Sequence, residues 1–125
     1  MARIDKYESK SGGFRAPLAA SWAGQAAPLA VSLDAQGRVV IGAGTALTQV
    51  GIICKPDAAA AGAFVDIMTD GELVEAGLAA GTVYYANATT GALETSAPAA
   101  GTNKFRVGHT VEASRLVVRC QVVQG

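Results

Sequence analysis

Histidine, cysteine and aromatic residues are scarce in this chain, and each shortage closes off a class of function. His109 is the single histidine; general acid–base chemistry at neutral pH usually needs one set beside other titratable groups. Its neighbours of the same parity, Phe105, Val107 and Val111, place it instead on an apolar strand face, as a hydrogen-bonded core or barrel-end residue. The two cysteines, Cys54 and Cys120, sit in apolar runs without companion ligands at metal spacing, so each reads as a small buried hydrophobe rather than half a disulfide or part of a zinc site. Aromatics are only 6% of a chain dominated by Ala, Gly and Val, a composition that suits thin packed strands better than an aromatic-lined pocket.

Net charge is missing as well. Ten basic residues balance ten acidic ones, leaving no global field to recruit nucleic acid or an anionic membrane. No apolar run is long enough to span a bilayer. The charged start leads into APLAASWAGQAAPLAVSL, interrupted by Pro, Trp, Gln and Ser, which is not a secretory pattern, so folding in a reducing cytoplasm is expected. At 125 residues one domain with one real core is expected.

What the chain does have is alternation. From residue 62 to 123, apolar residues recur at every second position and break at Asp-Gly, Ala-Gly or Thr-Gly, the signature of short antiparallel strands. Leu29, Val31 and Leu33, the Asp34–Gly37 turn and Arg38 to Ile41 predict a hairpin. A run from Leu47 to Cys54 stops at Lys55-Pro56, and residues 57 to 62 form an Ala-rich turn with room for one turn of helix. Then come a strand from Phe64 to Thr69, a turn at Asp70-Gly71, a short strand from Glu72 to Glu75, a strand from Thr82 to Ala86, a turn from Asn87 to Gly91 and a loop from Ser96 to Asn103. In the closing pair, Phe105, Val107, His109 and Val111 share one face, as do Leu116, Val118, Cys120 and Val122. The expected fold is mainly β: a small antiparallel barrel or sandwich, β-tulip-like, spanning residues 28–125 and preceded by an extended arm over residues 1–27.

The arm is mixed in charge and carries Gly-Gly and Pro, with Tyr7, Phe14 and Trp22 spaced for neither helix nor strand. Two readings stand. It is either a floppy tail or processing remnant, or a segment that orders on a partner, with Tyr7, Phe14 and Trp22 as anchors and Arg3, Lys6, Lys10 and Arg15 seeking carboxylates. Charge is also segregated further along. Asp70, Glu72 and Glu75 lie in an acidic middle, whereas Arg115 and Arg119 lie in a basic end, so one copy's acidic strip could set register against another's basic one. The plainer reading is solvated strand faces and turns.

Candidate chemistry is sparse. Gly42 and Gly44 in VVIGAGTALTQVG follow a strand as in a dinucleotide-binding turn, but the sixth position is Leu47 and Pro56 arrives before a crossover helix is complete, so a loop between strands fits better. Neither Ser96 nor Ser114 sits in a nucleophile elbow. The spacing of Asp66, Asp70, Glu72 and Glu75 is not that of a calcium loop, and Asn87-Ala88-Thr89 is a glycosylation sequon that would be idle in a cytoplasmic protein. No enzymatic activity, cofactor or metal is expected.

Tyr84-Tyr85, Thr89-Thr90-Gly91, and Val107-Gly108 through Ala113-Ser114 to Leu116-Val117-Val118 together form a texture that resembles the small β-barrel modules of tailed-bacteriophage virion proteins. It is most similar to the capsid decoration, or head-stabilising, class that includes the lambdoid cement proteins. The match covers about half the chain. The resemblance implies a minor capsid protein on the exterior of an expanded icosahedral shell, a homotrimer cementing neighbouring subunits of the virion's major capsid protein, with no direct contact to nucleic acid or membrane. On that reading the capsid-binding arm carries Arg3, Lys6, Tyr7, Lys10, Phe14, Arg15 and Trp22, and self-association uses Asp70, Glu72, Glu75, Arg115 and Arg119. The alternative is a tail-fibre or receptor-binding β-domain that contacts a host-surface glycan. The small Ala, Gly and Pro residues of 77–81 and 96–103 weigh against it.

Overall fold

Nine antiparallel strands make up a single curled sheet in the computed structural model, which describes residues 12–24, 28–53, 57–74 and 77–125. They are β1 (Gly12–Pro17), β2 (Leu29–Leu33), β3 (Val39–Ile41), β4 (Gln49–Ile53), β5 (Phe64–Val74), β6 (Val83–Ala86), β7 (Leu93–Glu94), β8 (Asn103–Glu112) and β9 (Arg115–Gln124). The order across the sheet is β3-β2-β4-β5-β9-β8-β6-β7, with β1 added on β5. The mainly β expectation holds. Among the described residues no helix is long and apolar enough to cross a membrane.

The long β5 organises everything else. In its first half, Ile67 and Met68 stand opposite Phe14 and Gly13 of β1 and also opposite Ile53 and Ile52 of β4. In its second half, residues 70–74 pair with β9, and Asp70 has Gly12 on one side and Arg119 on the other. One strand therefore belongs to two layers. The expected Asp70-Gly71 turn is not formed, because the glycine that would open a hairpin instead lets a continuous strand swing from one layer to the other. Gly71 is buried at φ 146°, a conformation that side-chain-bearing residues rarely adopt.

Each layer has its own core. Ala30 and Ile52 point into one cluster with Tyr84, Phe105, Val107, Leu116 and Val118. Their chain neighbours Val31 and Ile53 point the other way, into a second cluster with Ala16, Leu18, Trp22, Val39, Val65 and Ile67. Period-two alternation thus buries both faces of β2 and β4.

The second cluster moves the expected boundary of the domain. Residues 12–24 were expected in an extended arm, yet β1 pairs along β5, Leu18 donates its N–H to Ala63 O at 2.9 Å, and Trp22 exchanges two backbone hydrogen bonds with Ala59, at 2.7 and 2.8 Å. Trp22 is buried, as are Ala16 and Leu18. The physical reason is coverage: without this segment Val31, Ile53 and Ile67 would face water, at roughly 1.5–3 kcal/mol for each such side chain. Residues 57–63 provide the complementary strip through an Ala59 bridge and a turn, without a helical turn.

Local turn chemistry accounts for the remaining connections. The β2–β3 hairpin is closed by Asp34, whose Oδ1 accepts from the N–H groups of Gln36 and Arg38, both at 2.9 Å, while Arg38 Nε donates to Oδ2 at 2.8 Å. The Arg38 N–H leads among these in holding the Asp34 carboxyl below its ordinary range.

The closing strands depart from simple alternation at three register shifts, one of them beside the β8–β9 turn between Arg115 and Leu116. Tyr84 and Tyr85 of β6 face Gly108 and Arg106, skipping Val107, so Val107, Gly108 and Thr110 are buried while His109 and Val111 are exposed. The apolar face expected for His109 is thereby corrected: the extra residue flips the parity after Val107. The shift between Val118 and Gln121 ends the inward run of β9, leaving Cys120 half-buried and Val122 exposed. Burial, and after it Asp70, pushes the Cys120 thiol up to about 12, so it stays protonated at neutral pH. Cys54 lies outside the described residues.

Thr110 closes the other end of β8. Its Oγ1 donates to Ala79 O and accepts from the Thr82 N–H at 3.0 Å, tying down the 77–82 loop. Thr110→Val keeps the shape but orphans both loop groups, so urea unfolding should show a loss of about 1–3 kcal/mol.

Candidate interaction surface

Pairing of β5 with β9 brings the acidic middle and basic end of the chain side by side. Val117 faces Glu72, and Arg119 faces Asp70. Arg115 lies between two carboxylates, 3.2 Å from Glu112 and 3.4 Å from Glu72, and these two, Glu112 first, raise its already high pKa. The complementarity anticipated between copies is thus met for Arg115 and Glu72 within one copy. Both ends of these pairs are substantially exposed, so each contributes little to stability. Asp70 and Arg119 are exposed on adjacent strands. Glu75 lies outside the described residues.

Of the residues assigned to the arm, Arg3, Lys6, Tyr7 and Lys10 also lie outside the described residues. Phe14 is half-buried and packs against the second core, and Trp22 is inside it. Arg15 is exposed, with its Nε 3.0 Å from Asp66 across the β1–β5 ladder. Phe14 and Trp22 thus help to hold the fold together.

Two features of this surface carried no signal in the sequence. Glu94, Tyr85, Arg106 and Gln121 align as one cross-strand row over β7, β6, β8 and β9. Beside the row, Lys104 Nζ donates to Glu94 Oε1 at 2.7 Å and to Ser96 O and Oγ at 2.7 and 2.8 Å, and stands 5.9 Å from the Tyr85 ring centroid. Ten residues separate Lys104 from Glu94, and only the β6–β8 register brings them together. The second feature is Phe64, 60% exposed beside Pro17 at the start of β5.

The Gly42–Gly44 loop is committed to the fold. The N–H groups that would cradle a phosphate go to protein carbonyls: Gly42 to Ala30 O at 2.9 Å, Ala43 to Thr89 O at 2.8 Å and Gly44 to Ala88 O at 3.0 Å. Among the described residues, no three His, Cys, Asp or Glu side chains are grouped so as to hold a metal ion.

No family model matches this chain, and no curated protein matches it. Among solved structures, it is similar to a chain from Mycobacterium phage Patience, with a TM-score of 0.71 over 98% of this chain and 97% of that one. Identity is 17%, so what the two share is the fold.

Proposed function

We propose that this chain is a structural protein of a tailed-phage virion, bound to the outside of an expanded icosahedral capsid, where it cements neighbouring subunits of the major capsid protein. The observation that carries this reading is the end-to-end correspondence of its fold with a phage chain, joined to the resemblance of its Tyr84-Tyr85, Thr89–Gly91 and Val107–Val118 segments to capsid decoration modules. Attachment falls to residues 1–11, with Arg3, Lys6, Tyr7 and Lys10, since Phe14 and Trp22 are spoken for inside the domain. Self-association, as a homotrimer, uses the exposed Asp70 and Arg119. Many such modest contacts repeated over a shell add up to a lasting clamp.

Co-sedimentation with expanded empty shells tests this. The full chain should pellet with shells, and a chain of residues 12–125 should keep its β-sheet circular dichroism yet bind about tenfold more weakly, the loss of roughly one hot spot. Arg119→Glu should reduce the trimer seen by light scattering. A full chain that stays in the supernatant overturns the cement function, and its detection on tails instead would favour the receptor-binding alternative. Equal pelleting of the two chains overturns only the role of residues 1–11.

A further inference from the structure

The ends of the sheet order, β3 and β7, are not joined by a ladder among the described residues. The geometry points to the Asn87–Gly91 turn as a latch that closes this gap and opens as a unit of its own. Four of its carbonyls are held by the opposite layer. Asn87 O accepts from Gln49 Nε2 at 3.1 Å, Ala88 O from the Gly44 N–H at 3.0 Å, Thr89 O from the Ala43 N–H at 2.8 Å and Gly91 O from the Ala30 N–H at 2.8 Å. Asn87 shapes the latch from within: its Oδ1 accepts the N–H groups of Thr89 and Thr90, at 2.8 and 2.9 Å, and its carbonyl accepts that of Gly91 at 2.8 Å.

Two local costs oppose closure. Gln49 is buried, yet its Oε1 has no hydrogen-bond partner, and Ala43 holds a φ of 37°, which a residue with a Cβ adopts reluctantly. Thr89 and Thr90 are exposed, and the layer under the latch contributes only Ala30, Ala46 and Ile52 to the buried part of the shared core. The seam is thus held more by hydrogen bonds than by apolar packing, with Ala43 and Thr89 exposed and Gly44 and Ala88 half-buried, the kind of contact that opens below the global unfolding free energy.

Native-state hydrogen exchange followed by NMR tests it. The amides of Ala30, Ala43 and Gly44 should share one opening equilibrium, less protected than the β8–β9 ladder. Asn87→Ala, which removes two hydrogen bonds inside the latch, should speed exchange at all three by about tenfold and leave the β8–β9 ladder unchanged. Gly91→Ala, whose Cβ would run into the backbone of Ala30, should act in the same direction and provides the test if Asn87→Ala fails to fold. Three unrelated exchange rates, or an acceleration spread evenly over β8 and β9, would overturn the latch.

Discussion

Trp22→Ala should lower the unfolding free energy of the isolated protein by about 3–5 kcal/mol, the usual cost of truncating a buried Trp. The indole lies in the cluster of Leu18, Val31, Ile53 and Ile67, and the residue's backbone is bonded in both directions to Ala59. Truncation removes contact area and leaves a void beneath β2 and β4 that these β-branched and leucine side chains cannot close without leaving their rotamers. Against a total of roughly 5–15 kcal/mol for a domain, that is enough to shift the urea midpoint far or to unfold the chain near body temperature. No partner is needed to see the effect. If Trp22 acted as an anchor for a partner, the midpoint would stay where it is and only binding would fall, so equilibrium unfolding of the free variant separates the two roles.

Gly42→Ala should cost about 3 kcal/mol or more by the same measurement, for two reasons that add. The residue sits at φ 64°, where a Cβ meets the following carbonyl at about 1–2 kcal/mol. That Cβ would also run into the backbone of Thr89, Thr90 and Gly91, and overpacking of this kind costs about 1–3 kcal/mol. Relief of the clash would break the hydrogen bonds that tie this main chain to Ala30, Ala43 and Gly44. Gly37→Ala is the control. It has a similar φ of 78° but open space around it, so it should show the backbone cost alone.

Features decided within a few residues were legible in the sequence. The β2–β3 hairpin follows from Asp34–Gly37, and the Asn87–Gly91 turn from an Asn side chain that bonds to its own backbone two and three residues on. Features decided by distant partners were not. Asp70-Gly71 has hairpin chemistry, but pairing with β1 and β9 keeps it extended. Residues 12–24 lack periodicity because they cover a core built by other strands. The parity of β8 fails after Val107 because a bulge is a property of two strands together. For the surface, the segregated charges of Asp70, Glu72, Arg115 and Arg119 were visible, but ladder register decides whom each faces, and it gave Arg115 to Glu72 and Glu112. The Gly42-x-Gly44 loop lies between strands, as Leu47 and Pro56 imply, whereas the turn that fills it comes from residues far along the chain.

A strand with dual membership also constrains how such a protein can be divided. Any cut within Phe64–Val74 strips β1 and β4 of their neighbour on one side or β9 on the other, so neither fragment inherits a complete interior. Shuffling halves between relatives would have to exchange this segment whole, and insertions are better tolerated at loop tips such as residues 96–102, where no ladder crosses the junction.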